Sequence, residues 1–258
     1  MATTTIPVTE LRNFYWFLRQ SSLRYVINPM QKLMIMNGKP SSEAVEMLAG
    51  LFHRSVNQFS RYNNLKDEFL PESRKSPQED GQKDQKFAQH VVDLLKRGDN
   101  IFGYTYVDCE ISPLRTTGAG EPDSGAGGLD FLAATRDSPP LPIVGEVKAD
   151  NDRTPLFALI QALTYTSELA TKNQLDRLHR VYEKHFAVTP ERVEIVLIVE
   201  ATNSPEKKQR YDEVCHLVEA LMQDKEKRIA SKVRAIHMLW GTATEKGSFE
   251  TNSYLAKS

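Results

Sequence analysis

Gly128-Leu129-Asp130-Phe131-Leu132 and Leu141-Pro142-Ile143-Val144-Gly145-Glu146-Val147-Lys148 are the two stretches whose reading decides the fold. Both contain apolar runs of strand length. Asp130 stands at the start of the first, and Glu146 and Lys148 stand at the end of the second. Side chains alternate across a strand, so Glu146 and Lys148 share one face while Val147 points into packing. Two carboxylates and an ammonium at the ends of neighbouring strands are the donors a Mg²⁺ site for phosphodiester hydrolysis needs. Hard oxygens hold such an ion. The ion and the lysine together offset charge on the phosphate and help ionise the attacking water.

Downstream, Arg153-Thr154-Pro155 opens a helix, with Thr154 as N-cap and Pro155 at the first helical position. The helix contains Gln161 and Tyr165, which lie one turn apart on the same face. An Asp, then Glu-x-Lys, then Gln-x-x-x-Tyr, in this order, resembles the PD-(D/E)XK nuclease superfamily and in particular its RecB-like branch. The resemblance covers residues 84–200. It implies an α/β fold: a restriction-endonuclease-like mixed sheet with flanking helices, built on a helix-strand-strand-strand-helix-strand core. It implies that Asp130, Glu146 and Lys148 are catalytic. It also implies a Mg²⁺ or Mn²⁺ ion held by Asp130, Glu146 and the carbonyl of Val147, with His90 of the first core helix as a further ligand. Gln161 and Tyr165 would hold the substrate backbone or steady the site. The implied activity is metal-dependent hydrolysis of phosphodiester bonds in nucleic acid, with DNA the first expectation. The alternative is a catalytically inactive module of the same fold that binds nucleic acid or a protein partner.

An acid-x-Lys triplet alone is a weak signal, and the chain has others, Asp84-x-Lys86 and Glu206-x-Lys208. Both lie in polar sequence, whereas Glu146-x-Lys148 follows an apolar run with an acid upstream. The dipeptide Pro122-Asp123 falls in a Gly-rich loop that preorganises a carboxylate poorly. That loop has no Gly-Lys-Ser/Thr ending and precedes a strand, so it is no phosphate cradle.

Around this centre, residues 1–70 read as a helical region, 71–83 as a polar linker with two prolines, 84–240 as the core with a C-terminal helix-strand extension, and 241–258 as a loose polar tail. Within the core, residues 84–97 form an amphipathic helix, 101–111 a strand, 193–199 a buried strand, 205–228 a long helix and 233–240 a further strand. The aromatic run Phe14-Tyr15-Trp16-Phe17 belongs to a helix that either docks on the core or stacks on bases. Arg12, Arg19, Arg24, Arg54 and Arg61 offer a phosphate-binding surface in the same region.

Hydrophobic residues make up 40% of the 258 residues and charged ones 26%, which fits a globular chain with a sizeable core. The net charge of −1 gives no global attraction to nucleic acid, so any such surface is a local patch. The two cysteines, Cys109 and Cys215, have no zinc-type spacing and read as thiols of a reducing compartment. The N-terminus lacks the basic and apolar segments of a secretory signal. No apolar run approaches membrane-spanning length. An intracellular location, cytoplasm or nucleus, with no membrane partner is therefore expected. The oligomeric state stays open, a homodimer included.

Overall fold

The computed structural model describes residues 9–63, 69–73, 83–98, 103–116, 128–149, 154–243 and 249–257. Arg153, the loop with Pro122-Asp123, and the first residues of the strand expected from 101 lie outside them.

The chain is α/β, with a mixed sheet and helices on both of its faces. In order come α1 (Glu10–Gln20), a π-helical turn (Leu23–Ile27), α2 (Asn28–Met34) and a small hairpin of β1 (Ile35–Met36) and β2 (Lys39–Pro40). Asn37 and Gly38 turn that hairpin with φ of 53° and 73°, the left-handed pair a tight hairpin requires. Next come α3 (Ser42–Asn63), β3 (Phe69–Ser73), α4 (Lys83–Lys96), β4 (Thr105–Thr116), β5 (Leu129–Ala134), β6 (Pro142–Lys148) and α5 (Pro155–Leu169). The chain continues through α6 (Lys172–Val181), β7 (Val193–Glu200), α7 (Pro205–Met222), β8 (Val233–Ala243) and β9 (Phe249–Lys257).

Among the described residues, seven strands form one sheet in the order β3-β4-β5-β6-β7-β8-β9. β6, β7 and β8 are parallel, and the remaining pairs are antiparallel. The strand order advances from β6 to β7 to β8, so crossovers of one hand put α5 and α7 on the same face. That face also carries α1 and α3. Leu11, Leu48 and Phe52 share a buried cluster with Leu159, Leu163, Val144, Ile195, Leu197 and Leu217. The opposite face is covered by α4, whose Phe87, Val91 and Leu94 pack with Phe131, Ile143, Val147, Val196 and Ile198. Alternation along β6 and β7 thus splits each strand between two cores.

Two boundary expectations are corrected. The linker from 71 begins as strand: β3 pairs antiparallel with β4, with an irregularity between Leu70 and Glu72. Pro71 is tolerated there because β3 is an edge strand, where a missing N–H leaves no ladder bond open. The loose tail from 241 is strand as well, because β8 runs on to Ala243 and β9 pairs with it along nine residues. An edge strand with a solvent face need not be apolar, so composition concealed it. A third difference is α6, which occupies part of the interval left unassigned before β7. Among the described residues, no helix is long and apolar enough to cross a membrane.

Candidate active site

The centre of the site is the end of the β5/β6 pair. The two strands are in register from Ala134↔Pro142 to Phe131↔Gly145. Continuing that register by one step sets Asp130 against Glu146. Here the side chain takes over from the main chain: Asp130 Oδ2 accepts a hydrogen bond from the Val147 N–H at 2.7 Å. The close approach of the strands depends on Gly145, where a Cβ would meet the Phe131 ring carbon Cζ at 2.2 Å.

Glu146 and Lys148 project from β6 toward α5, on the face shared with Val144. Lys148 Nζ donates to Glu146 Oε1 at 2.5 Å and lies 5.8 Å from the centroid of the Phe157 ring on α5. Glu146 is 0% exposed and Lys148 6%, whereas Asp130 is half-buried. Glu146 Oε2 has no hydrogen-bond partner among the described residues. Burial pushes the Glu146 carboxyl well above the usual carboxylate range. The neighbouring charge of Asp130 pushes the same way, and Lys148 opposes both. Two carboxyls so placed, one with a buried oxygen left open, are chemically suited to a hard divalent cation that supplies the missing positive charge.

Helix α5 begins as its sequence requires, with Thr154 capping the Phe157 N–H and Pro155 in the first turn. All its residues are buried, as an apolar helix enclosed between a sheet and other helices must be. Gln161 is 7% exposed and Tyr165 1%. Both lie as deep as Glu146 and Lys148, on the helix that covers that face of β6. Burial is the first cause that raises the tyrosine hydroxyl well above its ordinary value, followed by the adjacent Tyr15 and by Glu146.

His90 rides on α4, which covers the sheet face opposite Glu146 and Lys148, and its Nε2 is buried without a hydrogen-bond partner among the described residues. Among the described residues, no three of His, Cys, Asp and Glu come together as metal ligands. Amphipathic spacing tells which side of α4 is apolar, but not which face of the sheet the helix covers.

Of the arginines expected to offer a phosphate-binding surface, Arg12 is 1% exposed and holds Glu168 in a two-pronged ion pair, and Arg54 pairs with Glu10 at the surface. Sequence reasoning missed the participation of Arg12, Tyr15, Phe157 and Glu168. A signal was present: Glu168 is the one charged side chain in α5, and a charge inside an apolar helix demands a partner.

No family model, curated protein or solved structure matches the chain.

Proposed function

We propose that the chain is a metal-dependent nuclease of restriction-endonuclease-like fold that hydrolyses phosphodiester bonds in DNA. The observation that carries this reading is the meeting of Asp130, Glu146 and Lys148 at one strand end, with Glu146 Oε2 buried and unpartnered. The order α4-β4-β5-β6-α5-β7, with β6 and β7 parallel, supports the same reading. Mg²⁺ or Mn²⁺ would be held by Asp130, Glu146 and the Val147 carbonyl. When bound, the ion polarises the phosphate and lowers the pKa of a water.

The rest is the work of the chain's own side chains. Lys148, braced between Glu146 and the Phe157 ring, meets the negative charge that builds on the phosphate oxygens. Asp130 is the half-buried member, so a phosphodiester approaches from its side. Asp130 is itself fixed by Val147, which keeps its carboxylate from rotating away. One observation favours a second reading, a non-catalytic module of this fold: Glu146 is fully buried and its lysine nearly so.

The deciding experiment incubates the protein with linear, circular and single-stranded DNA and with RNA, in Mg²⁺, Mn²⁺ or EDTA, beside Glu146→Ala and Lys148→Ala. Cleavage in either metal, none in EDTA, and a loss of about 10²–10³-fold in each variant are expected. Equal cleavage by wild type and Glu146→Ala refutes the assignment. Binding without cleavage by the wild type favours the inactive module.

A further inference from the structure

We propose that α1 is part of the site, with Tyr15 and Arg12 as positioning residues that hold Tyr165 and Phe157 of α5 against Glu146 and Lys148. The catalytic half of this inference rests on the nuclease reading, and the structural half rests on packing alone.

Arg12 lies 156 positions from Glu168 in sequence, yet Nε and Nη2 reach the two carboxylate oxygens at 2.6 and 2.5 Å. A buried ion pair is a poor source of stability, because desolvating two charges offsets most of their attraction. What the fork does provide is direction. A planar guanidinium gripping both oxygens of a carboxylate fixes the angle and register of the two helices that carry them. The same guanidinium lies 5.6 Å from the centroid of the Tyr165 ring and 5.7 Å from that of Trp16.

Tyr15, one turn along α1, completes the contact. Its ring centroid is 5.4 Å from that of Phe157, and 5.9 Å from that of Tyr165 in an edge-on arrangement. Of those two α5 rings, Phe157 meets the acid-lysine pair directly and carries the Lys148 ammonium over its face. Tyr15 and Arg12 of one α1 turn therefore back Phe157 and Tyr165 of α5, and Phe157 in turn backs the lysine of the pair on β6. If α1 were only a hydrophobic cover, any side chain of matching volume would serve. The fork of Arg12 and the hydrogen bond between the Tyr15 and Tyr165 hydroxyls are the parts such a cover does not need.

The test uses Tyr15→Phe, which keeps the ring and removes the hydroxyl, and Arg12→Lys, which keeps the charge and removes the fork. In the full-length protein with Mg²⁺, each lowers kcat on the order of tenfold with KM unchanged, as expected when a reacting group is slightly misplaced. Tyr15→Phe also unfolds at the wild-type temperature. A second measurement needs neither metal nor substrate: the unfolding cycle of Tyr15→Phe, Glu146→Gln and the double variant. The combined effect departs from the product of the single effects by a factor of about five in the unfolding constant. Additive unfolding, or wild-type kcat in Tyr15→Phe of an active enzyme, overturns the inference. A wild-type protein that cleaves nothing sinks the nuclease reading instead, and the cycle then decides the inference alone. Should Arg12→Lys fail to fold, Tyr15→Phe carries both arms.

Discussion

Asp130 Oδ2 accepts the Val147 N–H at 2.7 Å, so one carboxylate both faces Glu146 and closes the end of the β5/β6 ladder. The two duties separate by substitution. Asp130→Asn keeps an oxygen acceptor and loses the charge. It should retain most of the stability and lose activity by orders of magnitude. Asp130→Ala loses both, and leaves the buried Val147 N–H without a partner, at about 1–3 kcal/mol. Urea unfolding of the two variants measures the difference. Equal stability of Asn and Ala variants would mean that the hydrogen bond contributes nothing.

Glu146 makes the protein's stability depend on pH in a defined direction. Its folded carboxyl titrates well above the ordinary value of 4.5, because burial and Asp130 disfavour the ionised form. The stabilising contribution of the neutral form is fully present below the unfolded value. It is lost as pH rises toward the folded one. In EDTA, the stability of wild type relative to Glu146→Gln should therefore fall as pH is raised above 4.5. The slope is at most about 1.4 kcal/mol per pH unit for one proton. Mg²⁺ should restore the wild type and leave the variant unchanged, by mass action on the folded state. Thermal melts across pH, with and without metal, read both effects.

Gly145 stands directly against Phe131, and a methyl group there would overlap the ring. Both are buried and central, so neither strand moves away without loss of packing. Gly145→Ala should destabilise by roughly 1–3 kcal/mol, as overpacking does. Because Glu146 follows at once, activity should fall further than stability alone explains. Trimming the ring in the double variant with Phe131→Leu should recover stability. A double variant no more stable than Gly145→Ala would place the strain elsewhere.

The sheet centre was legible because its chemistry is local. The near-continuous apolar run of β7 and the Thr154-Pro155 helix start are read from neighbouring residues, and both appear in the structure. Glu146 and Lys148 were legible as a pair for the same reason, since period-two alternation alone puts them together. What was not legible depends on residues distant in sequence or on the choice of face. The fork between Arg12 and Glu168 joins two helices whose separate patterns carry no pairing information. The place of His90 was not legible, because apolar spacing orients α4 about its own axis without choosing the side of the sheet. β3 and β9 failed because edge strands are half solvated and read as polar sequence.

The N-terminal helices, for which docking on the core was one of the two expectations, yield the last prediction. Within the described residues 9–63 they share one buried cluster with α5, α7 and the sheet. Leu11, Leu18, Ile27, Leu48 and Phe52 are each 0% exposed in that cluster. Burial of one such side chain contributes about 1.5–3 kcal/mol. Even as an upper estimate for the group, that is comparable with the whole stability of a domain, about 5–15 kcal/mol. Polar ties add to it: Arg12 to Glu168, and Arg228 beyond α7 to Glu46 of α3 at 2.5 Å. Removing residues 1–63 would also uncover the flank of α5, a helix with no polar face to offer to water. The shortened chain should therefore lose its near-ultraviolet circular dichroism and its cooperative urea transition, whereas the intact chain should unfold in a single step. A shortened chain that unfolds cooperatively, with intact aromatic signals, would show that the sheet and α5 form a separate domain and that α1 is dispensable to the site.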